Sequence, residues 1–332
     1  MSENSSVKKQ KNGFSYACIR YIKRNSGILI GLIGLCVVVS ICSHGKFLSQ
    51  DNIMNVLRQI SSNMFLAAGM TMVMICGGID LSVGSVIAIT GVMAGTLINQ
   101  GMPIVLAILV CMVMGAVYGA INGAIISGTT LPPFIVTYSM QQILRGATYV
   151  YTGGATVRID NRAFLNLGTG YLFGFLPYPV LYLIIVLVIV YLILNKTKLG
   201  RHIYAIGGNE HAARFSGINI RKTRMFVYIF IGVMAALAGL VLCQRSYSGN
   251  PVAGNGAEMD AIAACALGGV SMAGGKGFIG GTLIGALIIG TMNNGLNLMR
   301  IDSYWQIILK GIVILVAVYV DYLKGKKAAE GR

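Results

Sequence analysis

Charge is what this chain has least of. Asp, Glu, Lys and Arg make up 11% of its residues, against roughly 25% in a soluble globular domain. Acids are scarcest: ten Asp and Glu among 332 residues are too sparse for hydrolytic chemistry in a conventional cleft. The three histidines, His44, His202 and His211, stand apart, and no H-E-x-x-H or nucleophile elbow is present, so the usual hydrolase signatures are missing. Seven cysteines are scattered without a C-x-x-C. They support neither a disulfide framework nor a zinc site, and no metal ligand set is expected.

What is abundant is apolar surface. Hydrophobic residues reach 55%, with 44 Gly and 17 Met, and mean hydropathy is +0.74. A water-soluble enzyme is excluded. The expected fold is an all-α polytopic membrane protein whose helices pack through small residues.

The net charge of +16 does not point to nucleic acid, because the cations are clustered: six of 26 Lys and Arg fall in residues 1–26, seven in 195–224 and four in 321–332. Such blocks set orientation by the positive-inside rule, which predicts both termini and the 195–224 loop in the cytoplasm. They lack an interleaved aromatic stacking surface.

Apolar runs and proline breaks divide the chain into about ten transmembrane helices, near 27–43, 60–76, 83–99, 104–126, 134–151, 178–194, 225–244, 261–275, 277–298 and 304–320. Residues 1–26 form a basic tail, 27–323 a single transmembrane domain and 324–332 a second tail. Leu48 to Gln59, mixed in character, is expected as an interfacial helix, and 152–177 as an outer loop. The run 261–275 is short against the roughly 20 residues a straight span needs. It either re-enters or crosses tilted; crossing keeps Lys324, Lys326 and Lys327 on the cytoplasmic side. Gly115, Gly119 and Gly123 recur every four residues, as do Gly277, Gly281 and Gly285, and both sets predict close helix contacts.

The most unusual stretch is Gly77-Gly78-Ile79-Asp80-Leu81-Ser82-Val83-Gly84-Ser85, one acid in a glycine-rich break between uncharged runs that extend from Gln59 to Ile79 and from Leu81 to Leu144. Backbone that leaves the helix inside a membrane must be buried in protein or line a wet cavity. Gly77, Gly78 and Gly84 are therefore hinge candidates. Asp80, with Ser82, either caps the following helix or forms part of a gate.

Asn122, Gln141, Gln142, Asn293, Asn294 and Asn297 interrupt or end other apolar spans. Such amides bond helix to helix or, with both donors and acceptors, meet sugar hydroxyls. Asn122, Asn293, Asn294 and Asn297 are the pathway candidates. Lys310 lies about 10 Å along its helix from Ser303. It either snorkels outward or pairs with Glu258 or Asp260.

In the loop, Gly207-Gly208-Asn209-Glu210-His211-Ala212-Ala213-Arg214-Phe215-Ser216-Gly217-Ile218 predicts a two-turn helix. Asn209 caps it, Glu210 and Arg214 pair across one turn, and Gly217 closes it. Gly275-Lys276-Gly277-Phe278-Ile279-Gly280 fits G-x-G-x-x-G in letters but lacks the preceding strand and following acid of a dinucleotide site. ATP, if used, must bind another subunit.

From about residue 27 to 322 the chain resembles the permease subunits of bacterial ATP-binding-cassette importers for ribose and related monosaccharides. The resemblance rests on Gly77 to Ser85, on Gly207 to Asn219, on Leu267-Gly268-Gly269-Val270-Ser271-Met272-Ala273-Gly274-Gly275-Lys276-Gly277, and on Asn293-Asn294-Gly295-Leu296-Asn297-Leu298. It implies a non-enzymatic transport subunit in the bacterial cytoplasmic (inner) membrane, present as two copies. Its partners would be a cytoplasmic ATPase that holds ATP and Mg, and an extracytoplasmic sugar-binding protein. Ribose is the first cargo expected. Asn209, Glu210, Ala212, Ala213, Arg214, Phe215 and Gly217 would form a coupling helix seated on the ATPase. The rival reading is an ion-coupled secondary transporter, which needs acids deep in its spans.

Overall fold

A computed structural model describes residues 27–330; the basic tail 1–26 lies outside the described residues. Thirteen helices follow one another: α1 (Gly27–Cys42), α2 (Gln50–Ile75), α3 (Val83–Asn99), α4 (Ile104–Gly128), α5 (Pro133–Thr152), α6 (Arg162–Thr169), α7 (Tyr178–Lys196), α8 (Lys198–Gly208), α9 (Glu210–Phe215), α10 (Ile220–Ser246), α11 (Ala257–Leu267), α12 (Ile279–Leu298) and α13 (Ser303–Glu330). α4, α7, α10 and α12 are long and apolar enough to cross a membrane, while α1, α3 and part of α13 are shorter apolar helices. The expected all-α class needs one small amendment. Two-residue strands pair Val157–Arg158 with Ser248–Gly249, and Tyr171–Leu172 with Leu176–Pro177.

Proline sets several helix starts. Pro103, Pro132 and Pro177 stand at the N-caps of α4, α5 and α7, where a missing N–H costs nothing. At the centre is α2, whose residues from Met64 to Ile75 are all buried, the all-round burial expected of a core helix. The expected interfacial helix at 48–59 is not separate: α2 runs unbroken for 26 residues. Arg58 is accommodated because it donates to the Thr169 carbonyl at 2.8 Å and lies 4.5 Å from the Tyr171 ring centroid.

α4 packs most extensively on α10, and its glycine stripe is the reason. A Cβ at Gly115 would lie 2.4 Å from the Gly232 carbonyl oxygen, and one at Gly119 would lie 2.1 Å from that of Tyr228. Gly281 and Gly285 do the same for α12 against α11, with Gly268 and Ala264 carbonyls 2.0 Å from an added Cβ. Gly277 is not part of that stripe, since α12 begins at Ile279.

After α10 the chain runs along α3 before the next helix begins. Residues 247–256 lie along α3: Gly249 packs against Gly91 and Val92, then Gly254 against Gly84 and Ile87. Only then does α11 begin, 11 residues or about 16 Å long. Glu258 therefore starts α11 beside the first turn of α3, with its carboxylate 2.5 Å from where a Gly84 Cβ would lie.

Candidate functional site

Three features bear on function, and the first two stand where the sequence pointed. The first is the break between α2 and α3. Gly77 adopts φ +84°, and the Gly78 N–H returns to the Val73 carbonyl at 2.9 Å. Asp80 is 1% exposed; its Oδ1 accepts from the Ser82 N–H at 2.8 Å and the Ser82 hydroxyl at 2.6 Å. This is an Asx turn, and the Asn122 amide extends it by donating to the Ser82 hydroxyl at 3.0 Å. Asp80, Ser82 and Asn122 thus form one buried cluster. Gly84 lies within the first turn of α3, and its missing side chain serves packing: an added Cβ would sit 2.4 Å from the Gly254 carbonyl oxygen.

The second feature is the 195–224 loop, which contains α8 as well as the expected short helix. Asn209 caps α9 by accepting from the Ala212 N–H at 2.9 Å. Glu210 pairs with Arg214 at 3.3 Å and makes a shorter ion pair with Arg224 at the base of α10. Gly217, at φ +77°, closes the helix through its N–H to the Arg214 carbonyl. Phe215 is 91% exposed and Ala212 is exposed beside it. Ala213 departs from the expected contact set because it is buried against the chain's own body.

Behind α9, three glycine segments meet. The Gly275 N–H donates to the Ile75 carbonyl at 2.9 Å, and Gly207 fills the gap between them so closely that a Cβ would lie 1.8 Å from the Ile75 oxygen. Gly274, at φ +87°, sits with its would-be Cβ 3.0 Å from Gly77 Cα. The end of α2, the end of α8 and the loop before α12 therefore touch through backbone. A displacement of α8 and α9 has no soft side chain there to absorb it.

The third feature is a cavity of about 340 Å³, toward the small end of the roughly 300–1,000 Å³ typical of ligand sites. α2 contributes Gln59, Ser62, Asn63 and Leu66, one helical face. α12 contributes Asn293 and Asn297, and α13 adds Gln306 and Lys310, each pair one turn apart. Asp260 closes one wall and Arg245 another. Lys310 Nζ is 3.0 Å from Asp260 Oδ2, which selects Asp260 over Glu258 as its partner. Glu258 instead accepts from the Gln141 amide at 3.3 Å.

The pathway candidates separate accordingly. Asn293 and Asn297 line the cavity; Asp80, Ser82 and Asn122 do not. Asn294 exchanges two amide hydrogen bonds with Asn52, at 2.9 and 3.1 Å, and so joins α12 to α2. Gln59, Ser62, Asn63, Arg245 and Gln306 were missed. The 59, 62, 63 spacing of polar residues inside an apolar run was the readable signal for α2.

An all-helical bundle with four helices long and apolar enough to cross a membrane, an interrupted core helix and a polar cavity is consistent with a multi-pass membrane permease. The chain belongs to the family described as branched-chain amino acid transport system / permease component, whose model matches residues 52–318. It is 47% identical to the ribose import permease protein RbsC of Haemophilus influenzae over 302 residues, covering 90% of this chain and 93% of that one. With RbsC of Bacillus subtilis the identity is 45% over 305 residues, covering 91% and 94%. With the D-allose transport system permease protein AlsC of Escherichia coli it is 38% over 296 residues, covering 88% and 90%. No solved structure matches.

Proposed function

We propose that this chain forms the translocation pathway of an ATP-driven importer for ribose in the bacterial inner membrane. The observation that carries the cargo is the 45 to 47% identity to ribose permeases over nine-tenths of the chain. An extracytoplasmic binding protein delivers the sugar, a separate ATPase hydrolyses ATP, and two copies of the chain assemble in the lipid. About ten spans with both termini cytoplasmic suit the placement of the basic blocks.

In this reading the exposed Phe215 and Ala212 of α9 meet the ATPase. Movement passes through the Glu210–Arg224 pair to α10, and through Gly207 to the ends of α2 and of the 268–278 loop. Gly77 and Gly78 let the α2–α3 break flex, with Asp80 holding the start of α3. The ion-coupled alternative is less favoured, because Asp260 is paired with Lys310 and Asp80 is hydrogen-bonded by Ser82. Complementation tests the cargo: produced with its ATPase and binding protein in cells lacking a ribose permease, the chain should restore growth on ribose. No growth despite membrane insertion would refute it.

A further inference from the structure

Two phenylalanine rings stand out from the tip of the hairpin that precedes α7. Phe173 is 82% exposed and Phe175 63%, and their rings stack with centroids 6.5 Å apart. Phe173 also adopts φ +53°, left-handed backbone that a bulky L-residue takes up only at a cost. The paired strands that carry the rings, Tyr171–Leu172 and Leu176–Pro177, are held firmly at their base. The Tyr178 N–H donates to the Gly170 carbonyl at 3.1 Å, the Tyr182 hydroxyl donates to the Leu167 carbonyl at 3.2 Å, and Arg58 of α2 lies over the Tyr171 ring. The fold therefore presents a large apolar surface on a fixed support and leaves it uncovered.

Sequence and length say what covers it. No charged residue stands from Ala163 to Asn195, so the hairpin and α7 form one uncharged stretch, whereas Arg158, Asp160 and Arg162 of the same loop all precede it. The hairpin passes directly into α7 at Tyr178. α7 is long and apolar enough to cross a membrane, and its Ile184, Ile185, Val188 and Ile189 are exposed, an apolar face that lipid covers. Its 19 residues extend about 28 Å, close to the roughly 30 Å of a bilayer's hydrocarbon core. The first turn of α7 thus lies at one boundary of that core and the hairpin beside it at headgroup level, where aromatic residues concentrate. A protein partner that docks and leaves would abandon both rings to water between encounters. The leaflet covers them throughout.

We infer that the 171–177 hairpin is an interfacial membrane anchor, with Phe173 and Phe175 seated among the headgroups and upper acyl chains of one leaflet. In the orientation proposed above this is the outer leaflet, so the second half of the 152–177 loop lies in the membrane surface and only the first half in water. Lipid contact itself rests neither on that orientation nor on the ribose reading.

The test uses the complex with its ATPase in lipid nanodiscs. Trp305→Phe removes the one tryptophan, and Phe173→Trp or Phe175→Trp then supplies a single fluorescent reporter. Arg158→Trp, at a side chain 84% exposed in the same loop, is the aqueous reference. Both hairpin reporters should emit at shorter wavelength than the reference, lose most of their emission in lipid brominated high on the acyl chains, and resist aqueous iodide. The reference should be quenched by iodide and spared by brominated lipid. Adding the sugar-binding protein should alter neither hairpin reporter. Iodide quenching equal to that of the reference, with no loss of emission in brominated lipid, overturns the anchor. Protection that appears only with the binding protein present also overturns it, and makes the hairpin a protein-docking surface instead. Melting of each variant in detergent identifies a substitution that disturbs the turn, and the reporter at the other position then decides.

Discussion

Replacing Gly207 with alanine addresses the junction behind α9 with a single methyl group. That methyl would lie 1.8 Å from the Ile75 carbonyl oxygen and 2.6 Å from the Gly275 nitrogen, two atoms bonded to each other at 2.9 Å. Backbone occupies both sides, so no side chain can swing clear. Breaking the Ile75–Gly275 bond costs about 1–3 kcal/mol, and overpacking adds about 1–3 kcal/mol. The sum, roughly 2–6 kcal/mol, is a large fraction of a typical folding free energy. Gly208→Ala is the matched control, since its Cβ would meet nothing within 4 Å. Thermal unfolding in detergent and the ratio of ribose imported to ATP hydrolysed should both fall for Gly207→Ala and hold for Gly208→Ala. Identical melting and coupling in the two variants would refute the backbone junction.

Lys310→Met should destabilise the protein by about 3 kcal/mol, the low end for breaking a buried pair because Lys310 is partly exposed. Adding Asp260→Asn should recover part of that loss in a double-mutant cycle of thermal unfolding. Asp80→Asn keeps the acceptor oxygen for Ser82 and should retain uptake, whereas Asp80→Ala should lose about 1–2 kcal/mol of stability; failure of the Asn variant in uptake alone would indicate a charge-dependent gate. Gly217→Ala forces a side chain into left-handed backbone at about 1–2 kcal/mol. With Glu210→Gln, it should uncouple ATP hydrolysis from uptake at normal membrane levels. Gly119→Leu should separate α4 from α10 and abolish stable expression, read by detergent gel filtration.

Much of the helix order was legible because its signals are local. Pro103, Pro132 and Pro177 mark boundaries by backbone chemistry, and the Gly115, Gly119 and Gly123 stripe announces close packing whatever the partner. The α9 caps were readable for the same reason, since Asn209, Glu210, Arg214 and Gly217 act within one short segment. The 247–267 stretch was not legible. Its polar, glycine-rich start reads as a surface loop, and only the bare backbone of α3 at Gly84 and Gly91 lets it pack inside. The cavity was half legible: Asn293 and Asn297 stand out singly, but their convergence with Ser62 and Asp260 depends on how α2, α11 and α12 cross. Asn294 looked equivalent to Asn293, and a single helical step sends it to Asn52 instead.

The decisive measurement is ribose uptake into proteoliposomes containing this chain, its ATPase and its binding protein. Uptake should require ATP and all three components, and should persist when ion gradients are collapsed. Uptake driven by an ion gradient with the ATPase absent would contradict ATP-driven import.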